Sequence, residues 1–325
     1  MKRLFYPILL PVLLLVTAGL QACKNDTVSF GVCSDVHLTL MHDAEERLKT
    51  FVDAMNAEKP DFIIELGDFV TPDTNYSHYL NIWDSFTGDR YHVIGNHETD
   101  GGFSLQQVLD MHDMAGSYYS FDKKGFHFIV LDGNDKKSPD AKPYFRFIGP
   151  EQKAWLMNDL SRTKRPVIIF SHQELFNPEP DENWGIENHR EIQEILEEHN
   201  KMHPSNRVIA CFNGHTHFDY AEEINGIWYI TIGSMSYHWL GDQYLHVRYS
   251  EDVDRNFPWI KYTAPFRDPL FALVEISGEG YIRIKGKKSE WVGPSPWDLG
   301  YPDKYRKYMR PEISDRCLEF QPLKR

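Results

Sequence analysis

Cysteine is scarce in this 325-residue chain, which contains just Cys23, Cys33, Cys211 and Cys317. Thiols so scattered do not make a disulfide framework, and a disulfide-stapled fold is ruled out. Cys33 and Cys211 lie inside apolar runs and read as small buried hydrophobes rather than as ligands or nucleophiles. Basic charge is also in deficit: 35 Lys and Arg face 48 Asp and Glu, for a formal net charge of −13. A surface that coats a nucleic-acid polymer needs clustered cations to displace counterions, so the balance argues against that partner. The 21 glycines and 19 prolines are too few for a collagenous or disordered chain. With 41% hydrophobic and 14% aromatic residues, what remains is a globular protein with ample core-forming material. There is no internal repeat, and no linker is long enough to demand a second domain.

Long hydrophobic runs are missing except at the start. Lys2 and Arg3 precede an almost wholly apolar stretch from Leu4 to Leu20, interrupted by Pro7 and Pro11 and followed by Gln21-Ala22-Cys23. A charged start, an apolar centre and a small residue before the cut describe a secretory signal. With Cys directly after Ala22 it resembles a bacterial lipoprotein signal, in which Cys23 becomes the lipidated first residue. The other reading is an uncleaved anchoring helix, near the lower length limit for a membrane span. The expectation is a signal over residues 1–22 and a tether over 23–27. The protein would then be exported and held to the cell envelope through a lipid on Cys23.

From residue 28 onward one pattern repeats. A compact β-branched or aromatic run ends abruptly in Asp, His, Asn or Gly. Residues 28–33 lead into Ser34-Asp35-Val36-His37, 61–66 into Gly67-Asp68, and 91–94 into Gly95-Asn96-His97-Glu98. Residues 166–170 lead into Ser171-His172, and 208–212 into Asn213-Gly214-His215-Thr216-His217. Such runs read as buried strands, and helical patterns lie between them at 44–57, 105–114, 150–160 and 186–199. Strands alternating with helices predict an α/β fold, in which ligands gather at the carboxyl ends of strands. Further strands at 125–131, 226–232, 271–276 and 281–284 come without helices. They extend the expectation to a two-layer β-sandwich of mixed sheets flanked by helices, over residues 28–286. Residues 287–325, with Pro294, Pro296, Pro302 and Pro311 among many aromatics, read as an irregular C-terminal tail packing on the domain.

Each polar cluster has an ordinary meaning when taken alone. Asp-x-His and Gly-Asp commonly mark turns or helix caps, and Asn-His can be a turn. Gly-His-Thr-His is sharper, because two imidazoles two residues apart at a strand end converge on something that wants them. In this order the five motifs resemble the calcineurin-like metallophosphoesterase family, across about residues 28 to 286. Glu151-Gln152 with Trp155-Leu156 on a helix, and the helix entry at Asn188, match lesser habits of that family. The resemblance implies two divalent transition metal ions. Asp35, His37 and His217 would hold the first, Asn96, His172 and His215 the second, and Asp68 would bridge them. It also implies that His97 donates a proton or stabilises the phosphate, with Glu98 orienting it.

Chemistry stands beside the resemblance. Imidazole, carboxylate and an amide oxygen make a mixed N/O set that suits Mn, Fe, Zn or Ni rather than Ca. No thiolate joins them, which disfavours a structural zinc site. Seven candidates exceed the needs of one ion, so two ions sharing a carboxylate is the economical arrangement. Such a pair clamps the attacking and leaving oxygens of a phosphoryl displacement and supplies hydroxide at neutral pH. Of the remaining histidines, His238 stands out. It sits with Tyr237 just after a strand, at the head of an aromatic-rich segment running to Pro269. His238, Tyr237 and Asn134 are the candidates for substrate contact, with Asp132 a further orienting group. Aromatics of that segment, Trp259 among them, either stack on a base or sugar or pack on the domain. The expected function is metal-dependent hydrolysis of a small phosphoester, foremost a phosphodiester or pyrophosphate of nucleotide type. A phosphomonoesterase is the neighbouring reading, and a metal-bearing, non-enzymatic envelope binding protein the rival.

Overall fold

A computed structural model describes residues 27–138, 140, 144–179 and 184–323; the expected signal and Cys23 lie outside the described residues. Fourteen strands are present among the described residues. They are β1 (Thr27–Cys33), β2 (Phe62–Glu65), β3 (Asp89–His92), β4 (Tyr119–Lys123), β5 (Phe126–Leu131), β6 (Val167–Ser171) and β7 (Val208–Asn213), followed by β8 (Tyr220–Ile224), β9 (Ile227–Thr231), β10 (Tyr237–Trp239), β11 (Thr263–Pro265), β12 (Ala272–Ser277), β13 (Tyr281–Lys285) and β14 (Arg316–Glu319). The α-helices are α1 (Ala44–Glu58), α2 (Ser77–Asp84), α3 (Leu105–Met111), α4 (Pro150–Arg162), α5 (His189–Met202) and α6 (Glu251–Asn256).

Two mixed six-stranded sheets form, ordered β14-β13-β12-β1-β2-β3 and β4-β5-β6-β7-β9-β8. The first runs parallel through β1, β2 and β3 and antiparallel from β1 out to β14. The second runs parallel through β5, β6, β7 and β9, with antiparallel β4 and β8 at its edges. A short antiparallel ribbon pairs β10 with β11.

Period-two alternation explains the layers. Phe30, Val32, Phe62 and Ile64 of the first sheet face Phe126, Phe128, Val130, Ile168, Phe170 and Phe212 of the second, forming the sandwich core. Phe30 lies at its centre, stacked on Phe62 at 5.0 Å between ring centroids and edge-on to Phe170 and Phe212, both at 5.5 Å. The alternate residues face outward. Cys33 and Ile63 meet Leu48, Phe51, Val52 and Met55 of α1, and Ile129, Leu131 and Ile169 meet Leu156 and Leu160 of α4 and Ile192 and Leu196 of α5. Each such side chain, fully buried, contributes about 1.5–3 kcal/mol. The α/β sandwich expected from the sequence is the observed architecture, and Cys33 and Cys211 are buried in its outer layers.

Local signals set the helix limits. Ser104 and Gln107 form a reciprocal capping box that starts α3, and Pro150 opens α4 where no backbone N–H is required. Helix α5 begins at His189 rather than at 186, because Asn188 is fastened to Ile148 by two hydrogen bonds (3.1 and 2.9 Å). The C-terminal segment is mostly irregular, but it supplies β14 to the edge of the first sheet. Its Tyr308 and Met309 pack with Phe218 and Leu240.

Candidate metal centre

The site is built from loops that leave parallel strands. Asp35 and His37 follow β1, Asp68 follows β2, Asn96 follows β3, His172 follows β6, and His215 and His217 follow β7. The turns are tight and strained. Ten described non-glycine residues have positive φ, and five of them are Asp35 (48°), His37 (47°), Asp68 (58°), His215 (70°) and His217 (61°). A left-handed backbone costs a non-glycine residue about 1–3 kcal/mol, and such residues cluster where function holds them. Two glycines are required by close approach. A Cβ on Gly95 would lie 2.3 Å from Asp68 Oδ1, and one on Gly214 would lie 1.8 Å from Ser34 Oγ.

Two ligand-capable groups result, Asp35 with His37 and His217, and Asp68 with His172 and His215; within each group the donor atoms all lie within 4.8 Å of one another. Asp68 joins the groups. Its Oδ2 lies 3.7 Å from His37 Nε2 and 3.2 Å from His172 Nε2. Asn96 adds its side-chain oxygen 3.1 Å from His172 Nε2.

Hydrogen bonding around the rings shows what they face. His172 Nδ1 donates to the Leu66 carbonyl and His217 Nδ1 to the Tyr237 carbonyl, each at 2.8 Å. In the neutral rings Nε2 therefore turns a lone pair inward, as in histidines that bind metal. His172 Nε2 faces His215 Nδ1 at 3.2 Å as well as Asp68 and Asn96. Asp35 uses Oδ2 to accept from Ser34 Oγ (2.5 Å) and His215 N (3.0 Å). Its Oδ1 is buried without a hydrogen-bond partner, 3.3 Å from His217 Nε2. Acceptors converging in this way on two points fit divalent cations with mixed N/O ligands.

Protons respond to the same crowding. Burial alone would raise Asp35 and lower His172. The His217 ring instead draws Asp35 down to about 2, and the Asp68 carboxylate lifts His172 to about 10. His37 and His215 are pushed down to about 3, chiefly by burial.

Two buried glutamates support Asp68. Glu65 Oε2 accepts from Gly67 N and Glu98 Oε1 from Phe69 N, both at 2.7 Å, so the peptide groups on either side of Asp68 are gripped. His97 N donates to Asp68 Oδ1 at 2.9 Å. Burial pushes Glu65 up to about 8 and, with the neighbouring Asp68 and Glu65 charges, raises Glu98 well above the usual carboxylate range.

Three expectations change. Glu98 does not touch the His97 ring; the carboxylate there is Asp100, whose Oδ2 lies 2.6 Å from His97 Nδ1. Glu98 points back beneath β2, because its own backbone turn carries it away from the cleft toward Phe69 N. His238 is buried against Phe266 and Trp291, at 5.6 and 5.7 Å between ring centroids, and does not line the cavity. Alternation along β10 sends it to the opposite side from Tyr237. Asn134 is a strut: Nδ2 donates to the Ile94 and Gly95 carbonyls and Oδ1 accepts from Gln173, which steadies the loop carrying Asn96.

The cavity itself holds about 580 Å³. His37, Asp68, Asn96, His97, His215 and His217 form its metal-facing end, and Tyr237 lines it beside them. Asp100, Tyr144, Trp239 and Trp259 also line it. The sequence pointed to none of these four individually as a cavity residue, although Trp239 and Trp259 fall in the aromatic segment already singled out.

The sequence profile of calcineurin-like phosphoesterases matches residues 28–219. The chain belongs to that family. It is a metal-dependent phosphoester hydrolase with two candidate His/Asp ligand groups. No curated protein is significantly similar to the phosphoesterase. Among solved structures it resembles a dimetal phosphatase from Danio rerio, with 17% identity over 82% of this chain and 99% of that one and a TM-score of 0.59. It also resembles GAP50, the anchor in the inner membrane complex of Plasmodium, with 17% identity over 92% and 90% and a TM-score of 0.54. At these identities the likeness is one of fold.

Proposed function

We propose that this phosphoesterase hydrolyses phosphodiester or pyrophosphate bonds of small, nucleotide-type substrates at a dinuclear centre. One observation carries the reading: Asp68 Oδ2 stands within 3.7 Å of a histidine from each ligand group, the position of a carboxylate shared by two ions. Asp35, His37 and His217 would hold one ion, and Asn96, His172 and His215 the other. Divalent Mn, Fe or Zn there would polarise the phosphoryl group and lower the pKa of water toward neutrality. The substrate's phosphorus gains an oxygen from water and loses its ester oxygen as the leaving group. His97, fixed by Asp100, presents Nε2 to the cavity, where it donates a proton to the departing oxygen.

Hydrolysis of bis-p-nitrophenyl phosphate and p-nitrophenyl phosphate, with Mn and with a chelator, tests the reading. Faster turnover of the diester, abolished by the chelator and restored by Mn, is expected. Bound metal with no hydrolysis of either ester would make the chain a non-enzymatic metal-bearing protein. The same proposal places the protein outside the cytoplasm, held to the cell envelope by a lipid on Cys23, as the sequence before residue 24 supports. Metabolic lipid labelling should be lost in Cys23→Ser; unchanged labelling would remove the anchor from the proposal.

A further inference from the structure

We infer that an aromatic bank beside the metal centre selects a monoanionic phosphodiester bearing a flat ring such as a nucleobase, in preference to a pyrophosphate; this rests on the phosphoesterase reading above. Eight large apolar side chains of the described chain are exposed, and the three aromatic ones are Tyr144 (53%), Trp239 (46%) and Trp259 (60%). All three line the same cavity. Exposed tryptophans that packing does not use, gathered at one concave site, mark a binding surface.

The bank is continuous and anchored. Tyr262 joins its members, stacked with Trp239 at 5.9 Å between ring centroids and standing 5.7 Å from Trp259. The main chain beneath them is fixed, with Tyr262 N donating to Trp259 O (3.0 Å) and Leu240 N to Tyr262 O (2.8 Å). Trp239 lies two residues beyond Tyr237, whose ring is 5.3 Å from that of His37, so the bank runs directly to the metal end. Tyr144 lines the same cavity and stands 4.9 Å from the His97 ring. A base stacked on such a surface gains about 1–3 kcal/mol.

Charge separates the two phosphoester classes. None of the described residues lining the cavity is lysine or arginine, and beyond the candidate ligands its imidazole and carboxylate are His97 and Asp100, which are paired with each other. A diester brings one negative charge, which the metal end receives. A pyrophosphate ester brings a second phosphate, which would meet aromatic faces and the Asp100 carboxylate with no lysine or arginine among the described lining residues to offset it. The cavity of about 580 Å³ is of a size for one small molecule.

The test uses the metal-loaded protein and three monoanionic diesters with one leaving group: thymidine 5′-(p-nitrophenyl phosphate) and the methyl and octyl p-nitrophenyl phosphates. A fourth substrate, P1-thymidine P2-methyl diphosphate, supplies the second phosphate. The thymidyl diester should exceed the other three in kcat/KM by about tenfold or more. In Trp239→Ala/Trp259→Ala the thymidyl-to-methyl ratio should fall by about tenfold, mainly through KM, and Trp239→Phe/Trp259→Phe should restore it. Calorimetry gives a readout without turnover: thymidine 5′-methylphosphonate should bind more tightly than ethyl methylphosphonate, and the double alanine variant should erase the difference. Equal rates for thymidyl and methyl esters, a preference for the octyl ester, or a preference for the diphosphate would each overturn the inference and leave the phosphoesterase reading standing. Failure to hydrolyse any of the four with metal bound would overturn that reading instead, and calorimetry would still decide the subsite.

Discussion

His97 Nδ1 and Asp100 Oδ2 lie 2.6 Å apart, and that contact decides which nitrogen of the ring faces the substrate. A carboxylate on Nδ1 holds the proton there and leaves Nε2 toward the cavity. Tyr144 donates to the other Asp100 oxygen at 3.1 Å and so steadies the carboxylate. Burial alone would lower the His97 pKa, but Asp68 and Asp100 outweigh it and raise it. His97→Asn should therefore lose about 10²–10⁴-fold in kcat, the usual contribution of a positioned acid. Asp100→Asn should lose less, with both variants retaining their metal. Steady-state kinetics with metal analysis checks this, and normal turnover in His97→Asn would refute the role.

Glu98 offers a contrasting case, because it acts on Asp68 through the backbone. Removing its side chain leaves the buried Phe69 N–H without its acceptor (2.7 Å), at a cost of about 1–3 kcal/mol. Glu98→Gln keeps an acceptor oxygen and should stay near wild type in stability. Glu98→Ala should lose that stability and also bind metal about 10–100-fold more weakly, as supporting residues around metal ligands do. Denaturant unfolding and metal titration separate the two. Equal metal affinity in both variants would reduce Glu98 to ordinary packing.

Much of this site was legible because its chemistry sits at strand ends. Abrupt passage from a β-branched run to Asp, His or Asn told where each ligand leaves the sheet, and strand order brought the ends together. The partner of His97 was less legible. Glu98 follows it directly, but a residue next in sequence points elsewhere in a tight turn, and Asp100, three residues on, folds back onto the ring. His238 misled for a related reason: its neighbour Tyr237 lines the cavity, and strand alternation sends the imidazole into the core. The exposed faces of Trp239 and Trp259 depend on how the segment between β10 and β11 folds, which periodicity does not carry.

Metal should stabilise the fold as well as enable catalysis. The crowded acceptors around Asp35 Oδ1 and His172 Nε2 would be paired by cations in the metal-loaded protein, and the unfolded chain offers no such site. Ligand binding to the folded state alone adds about 2.7 kcal/mol at a hundred times its dissociation constant. Addition of Mn to chelated protein should raise Tm by several degrees. Asp35→Ala, which removes the orphaned oxygen, should abolish most of that rise. Scanning calorimetry checks both, and an unchanged Tm on adding Mn would count against a folded-state metal site.

A separate pH dependence should come from the far side of the second sheet. His127 on β5 is clamped by two carboxylates, Nδ1 to Asp122 of β4 at 2.7 Å and Nε2 to Asp159 of α4 at 2.8 Å. Asp122 also pairs with Arg165, Asp159 accepts from Ser120 Oγ at 3.2 Å, and Arg162 and Lys164 stand nearby. Both ring nitrogens must donate, so the clamp requires the charged ring. Burial alone would lower the pKa, and the Asp159 and Asp122 hydrogen bonds overcome it and raise it. A raised folded value means the stabilisation is complete below the unfolded value of about 6.5 and is lost as pH rises through the folded one. Partial exposure of the carboxylates limits it to about 1 kcal/mol. Urea unfolding between pH 5.5 and 9 should show that decline in the wild type and a flatter profile in His127→Gln; the same decline in both would place its origin in other groups.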